Sequence, residues 1–260
     1  MDMDIRAREA QVVEQLREQV GNLMAAAQLL TPAIREQEER KYDQYLAILN
    51  QGLYRLLRLT EHVDLARQEE LPCRMEMLDA MKTCRDVCQE LEGVADRLGV
   101  TIRNECGSEE AMVQADPALL RRLVLLLVDT ALRRAGKGGT VGLRAWVEGA
   151  RFRLTVWDDG EEELEPRYRS GTLEERLTRH SGLELTLARS IASAHRATLV
   201  FEHGEERGLR AVLSLPLGQT DGTKLHTPRM GYNSTGGFQP VLVELSDLLP
   251  YQAYLWDELE

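Results

Sequence analysis

The sequence predicts an α+β fold. An N-terminal antiparallel helical hairpin, paired with a second copy into a four-helix bundle, precedes a two-layer α/β sandwich. Three observations carry this. Two apolar seams of alternating three- and four-residue spacing fill residues 1–70. The pair Asp116-Pro117 opens a helix that is apolar on nearly every face. Around that helix lie segments of period-two alternation joined by short links. The domains expected are a dimerisation hairpin at 1–70, a sandwich at 71–217, and a linker with an acidic, hydrophobic tail at 218–260.

The first seam is Val13, Leu16, Val20, Leu23, Ala27 and Leu30, and Thr31-Pro32 interrupts it. The second is Leu46, Leu49, Leu53, Leu56, Thr60 and Val63, widened by Ile48, Leu57 and Leu59. A lone hairpin leaves much of such a face wet. Burying one leucine stabilises by roughly 1.5–3 kcal/mol, which favours a homodimer over residues 4–68. The alternative is that the second region of the same chain covers the face.

In that region a helix is expected over 76–98, ended by Gly99, and then a strand over 100–106. After Met112–Ala115 comes the Asp116-Pro117 start and the helix LLRRLVLLLVDTALRRA, ended by the glycines at 136–139. Val141, Leu143, Ala145 and Val147 alternate with polar or small residues, as do Phe152, Leu154 and Val156, so the two segments form a hairpin. Residues 161–180 read as charged and irregular, and 183–195 as a helix. A last hairpin joins 197–202 to 209–217 through GEERG. The sheet is antiparallel or mixed, with helices on one face.

Composition excludes several classes. Lys plus Arg is 32 against 43 Asp plus Glu in 260 residues, a net charge of −11, which repels nucleic acid and anionic lipid. The longest aliphatic block, at 123–128, falls far short of the ~18–20 residues of a membrane span. The start MDMDIRAREA has no apolar core to serve as a secretory signal, so a cytoplasmic protein is expected. Cys73, Cys84, Cys88 and Cys106 form no dense disulfide framework, and no histidine stands beside them at zinc-site spacing. They read as buried or half-buried thiols in a reducing compartment; metal or redox chemistry is the alternative.

The order of elements and the residues together resemble a sensor histidine kinase across about residues 10–217. YLAILNQGLYRLLRLTEHVDLAR is similar to the second helix of that family's dimerisation and phosphotransfer hairpin. Asp116-Pro-Ala-Leu-Leu resembles the entry to the asparagine-box helix of its ATP-binding domain, of the gyrase, heat-shock chaperone and histidine-kinase superfamily. VWDDG resembles its aspartate box, SGLELTLARSIASAH its second glycine box, and LRAVLSLPL its closing strand.

The resemblance implies site residues, and this chain departs at several. Glu14 occupies the position of the phosphoacceptor histidine; a carboxylate cannot act as the imidazole nucleophile. Thr130 replaces the Mg²⁺-binding asparagine, and Leu126 an earlier one; Mg²⁺ prefers octahedral oxygen ligands. Neighbouring Asp129 points about 100° away. Asp158 would accept from an adenine amino group and Gly160 would let backbone approach the base, but Glu162 stands at the next glycine. Gly182 is kept, while Glu184 replaces the following glycine. Carboxylates there oppose phosphate charge. Arg167, Arg169, Arg176 and Arg179 of the lid segment read as salt-linked surface residues, with phosphate clamping as the alternative. His62, far along the second helix, reads as a helix-surface or bundle-end residue.

Two functions follow from the resemblance. The first is a non-catalytic pseudokinase: a dimeric regulator in two-component-type signalling that needs no cofactor and binds a response-regulator receiver domain or a true histidine kinase. The alternative is an ATP- and Mg²⁺-binding kinase or ATPase with non-standard residues. The tail, with Val241, Leu242, Val243, Leu248, Leu249, Tyr251 and Tyr254 among acids, either docks on its own domain or recognises a partner.

Overall fold

The computed structural model describes residues 16, 20, 21, 23, 27, 41–68, 70–160, 173–203, 208–218 and 238–255, with only the backbone of 41 and 173–182. The chain divides into two compact units, residues 1–69 with 242–260, and residues 70–241.

The first unit is organised by one long helix, α1 (Lys41–Arg67). Its seam divides in two. Leu46, Leu53 and Thr60 are buried, whereas Leu49 and Leu56 are 51% and 46% exposed. The described positions of the preceding helix repeat this split: Val20 and Ala27 are buried, Leu16 and Leu23 exposed. Each seam thus has one covered layer and one open layer. Tyr45 and Leu59 extend the open stripe.

The C-terminal segment packs on a different face of α1. The short helix Pro240–Glu244 and the turn Tyr251–Tyr254 bury Leu242, Val243, Leu245, Leu249, Ala253 and Tyr254. The rings of Tyr54 and Tyr254 meet at 5.0 Å. Burial pushes the Tyr54 hydroxyl up to about 12. His62 is therefore not a surface residue: it is 2% exposed, and its Nε2 lies 2.7 Å from Glu244 Oε2. A histidine on a polar helix face reads as exposed until a distant segment covers it.

In the second unit, β1 (Glu76–Asp79) leads into α2 (Ala80–Leu98). The expected helix over 76–98 thus starts four residues late, because residues 76–79 pair antiparallel with β3 (Met112–Ala115), from Glu76↔Ala115 to Asp79↔Met112. Asp79 makes the switch. Its Oδ1 accepts from Met81 N at 3.0 Å, capping the helix, and from Ala111 N at 2.9 Å, holding the strand pair. Gly99, at φ +68°, ends α2 in the left-handed region.

The main sheet runs in the order β2 (Thr101–Cys106), β4 (Thr140–Glu148), β5 (Arg151–Asp158), β7 (Leu209–Pro216), β6 (Thr198–His203). Only β2–β4 is parallel. Registers Leu143↔Val156, Ala145↔Leu154, Leu154↔Leu213 and Val156↔Ala211 place two apolar rows across three strands. Helix α3 (Pro117–Ala135) buries every residue from Leu123 to Leu132. Asp116 Oδ1 caps it through Ala118 and Leu119 N–H, both at 3.0 Å. Helix α4 (Leu173–Ala194) begins ten residues before the expected start. The sequence LEERLTRH has strong helix formers, but its charge density masks an apolar period.

Cys84 and Cys88 are buried, and Cys73 and Cys106 are half-buried. The Cys88 thiol, sharing a hydrogen bond, holds Cys106 below the ordinary thiol range, while burial and then Asp116 push Cys73 up. Cys106 carries more thiolate at pH 7.5 and is expected to react with iodoacetamide before Cys73. Peptide mass mapping of a time course checks this; Cys73 labelling first would contradict it.

Candidate nucleotide site

The site is assembled where β5 and α3 end. β5 delivers Asp158, 4% exposed, at the edge of the apolar rows. Its Oδ1 accepts from Gly160 N at 3.0 Å, and its Oδ2 from Arg134 Nε at 3.2 Å. The Leu209 N–H adds a third bond. Burial raises the Asp158 carboxyl above its ordinary value, and Arg134 is the strongest influence opposing that rise. A carboxylate offers about four acceptor directions, and three of them are taken within the chain, with the side chain 2% exposed.

Gly160 has a packing reason besides any role toward a base. A Cβ there would stand 2.2 Å from the Arg134 carbonyl oxygen. Gly208, at φ +79°, is constrained twice, since its Cβ would lie 1.8 Å from Asp158 O. Neighbouring Asp159 ties the start of β4, its Oδ1 accepting from Thr140 N at 2.7 Å.

Thr130 lies one turn before Arg134 and is buried. Its hydroxyl donates to Leu126 O at 3.0 Å, within its own helix. Asp129 is 2% exposed and takes Arg133 Nε and Nη2 at 2.8 and 3.1 Å, a charge-assisted fork along the helix. Neither residue presents a carboxamide oxygen. Among the described residues no group of three or more His, Cys, Asp or Glu is arranged to hold a metal ion.

Glu14, Glu162, Arg167 and Arg169 lie outside the described residues. Arg176, Arg179 and Gly182 belong to α4, of which only the backbone is described there; Glu184 is half-buried on the same helix. The structure thus brings together Asp158, Gly160 and, at a turn's remove, Thr130. Sequence reasoning missed Arg134 and Gly208. Arg134 is 24 residues from Asp158, with no period linking them. Gly208 was visible only as the end of GEERG.

The α4 end is tied to the α3 start. His195 Nε2 accepts from Asp116 N at 3.0 Å, and its Nδ1 donates to Ile191 O at 2.7 Å. That pair of roles selects one neutral tautomer.

Residues 115–219 match the family of histidine kinase-, DNA gyrase B-, and HSP90-like ATPases. The histidine protein kinase DivJ of Caulobacter vibrioides is 26% identical over 219 residues, covering 80% of this chain and 36% of that protein. This chain therefore spans well under half the length of that relative. Two solved structures share the fold. Full-length ShkA in complex with AMPPNP superposes with a TM-score of 0.59 at 19% identity, over 82% of this chain and 46% of that one. The histidine kinase ThkA in complex with the response regulator protein TrrA gives 0.51 at 18%, over 82% and 64%.

Proposed function

We propose that this chain, which carries a sensor histidine kinase-type ATPase domain, is a dimeric, cytoplasmic, non-catalytic regulator of two-component signalling. Its helical hairpin is the surface offered to a response-regulator receiver domain or to an active histidine kinase. ThkA, crystallised with TrrA, supports the receiver as a partner class. The observation that carries the loss of catalysis is Thr130, whose hydroxyl is turned back onto Leu126 O where the family places a metal-binding asparagine. The base end keeps Asp158 and Gly160, the residues that the family resemblance assigns to an adenine. The described residues at Thr130 and Asp129 do not fit Mg²⁺, because one is a lone alkyl hydroxyl and the other is bound by Arg133. The retained Asp158 and Gly160 are what favour the competing reading, an ATP-binding kinase or ATPase with unusual ligands.

Two assays on the full chain test this together. Labelled ATP with Mg²⁺ is expected to give no acid-labile phosphorylation, with Glu14 or after Glu14→His. Calorimetry is expected to show no gain in affinity from adenosine to ADP to ATP, and little effect of Mg²⁺. A phosphohistidine signal in the wild type, or micromolar Mg·ATP binding (about −8 kcal/mol) far tighter than adenosine, would sink the pseudokinase.

A further inference from the structure

The contact between α1 and the C-terminal segment has the chemistry of a receptor and its ligand. Every polar bond between them described here has its donor or cation on the helix and its acceptor or anion on the segment, apart from the His62–Glu244 pair, where the tautomer decides. Asn50 Nδ2 reaches Tyr254 O at 3.4 Å, and Gln51 Nε2 reaches Leu249 O at 2.6 Å and Ser246 O at 3.3 Å. Arg55 Nε gives a second bond to Ser246 O at 3.0 Å. Arg55 and Arg58 both ion-pair with Asp247, the Arg58 side chain being 5% exposed. Glu244 meets His62 with both side chains nearly sealed, at 2% and 3% exposed.

Positions 50, 51, 54, 55, 58 and 62 form one helical face. Three of the acceptors are main-chain carbonyls, which recognise a backbone path. Tyr254 adds a fully buried aromatic anchor whose hydroxyl folds the segment on itself through Leu242 O at 2.8 Å. Glu244 is a buried carboxylate and costly to desolvate, whereas Asp247 is 42% exposed beside its two arginines; such carboxylates are a poor device for mere stability against an apolar core. They suit selective recognition. The opposite face of α1, about half a turn round, carries the open stripe of Tyr45, Leu49, Leu56 and Leu59. Filling one face leaves the other free.

We propose that the Asn50–His62 face of α1 is a peptide-recognition surface for a short acidic segment with an aromatic anchor, and that residues 242–255 are its releasable intramolecular ligand. The pattern it reads is Glu244, then Asp247, then Tyr254. The intervening chain holds the ligand at high local concentration, so even a modest intrinsic affinity keeps the face filled.

The test uses the full chain with a protease site inserted within 219–237. After native cleavage, a fluorescent synthetic peptide of residues 238–260 is added, and exchange is followed by anisotropy. Saturable exchange is expected. Peptides carrying Asp247→Asn or Tyr254→Ala should each bind at least tenfold more weakly, and a body carrying both Arg55→Gln and Arg58→Gln should bind wild-type and Asp247→Asn peptides with similar affinity. Placing the first two changes in the peptide keeps the fold of the body out of question. Failure of the cleaved segment to exchange without denaturant would overturn the proposal, making the segment permanent core. Equal affinity of the three peptides would also overturn it.

Discussion

A chain carrying Leu49→Glu and Leu56→Glu is expected to sediment at its own mass of 29.4 kDa, while the wild type sediments at twice that value. The two leucines are 51% and 46% exposed on α1, and Leu16 and Leu23 of the preceding helix are exposed as well. In a four-helix bundle these open layers face their copies. Removing two buried leucines per chain forfeits roughly 1.5–3 kcal/mol each, and like charges would then face one another. A loss of at least ~4 kcal/mol, about a thousandfold in dissociation constant, follows. Leu53 is a worse position for this test. It is 6% exposed within a single chain, so charging it would damage the hairpin itself. Near-native circular dichroism and melting of the double variant confirm that only association is lost. A wild type that stays monomeric at micromolar concentration removes the dimer from the proposal.

The second large effect is expected from Arg134→Ala. Arg134 is the cation nearest to the buried Asp158, and its removal leaves a desolvated carboxylate with backbone donors alone. Breaking a fully buried pair costs roughly 3–5 kcal/mol. The Arg134 side chain is 18% exposed, which puts the expected loss toward the lower end. The pH dependence has a definite sign. Burial holds the folded Asp158 carboxyl above its ordinary 3.8, so its contribution to stability is complete below that value and is lost as pH rises through the folded value. Without Arg134 the folded value climbs further. The deficit against wild type should therefore be smallest at the acid end, where the carboxyl is protonated with or without Arg134, and grow as pH rises through the folded value. Urea titrations at several pH values measure it, and a deficit that does not change with pH would show that Asp158 is not the group responsible.

Much of the fold was legible because local rules and global packing agree. Asp116-Pro117 starts α3 as its cap chemistry requires, and the alternations at 141–147 and 152–156 are the two strands of one hairpin. The errors have physical causes. Residues 76–79 become a strand only because Met112–Ala115 lies beside them, a pairing across more than thirty residues that no local period reports. The first turns of α4 were hidden by charge. At the candidate site, Asp158 and Gly160 were visible as a motif, whereas Arg134 was not. Its contact with Asp158 exists because the last turn of α3 runs so close to the end of β5 that only a glycine fits at 160.

The sequence by itself determined the periodicities: two heptad seams, one all-apolar helix, the alternating strands, and the residue types at each functional position. These are properties of neighbours along the chain, where side-chain direction follows from a repeat of 3.6 or 2 residues. Only the tertiary structure decided which half of each seam stays open, that Asp158 is held by Arg134, and that the C-terminal segment lies on α1 with His62 sealed against Glu244. Those outcomes depend on contacts between residues 24 to 204 positions apart. Burial and ion pairing act through space, and a one-dimensional pattern carries no record of which distant surface arrives.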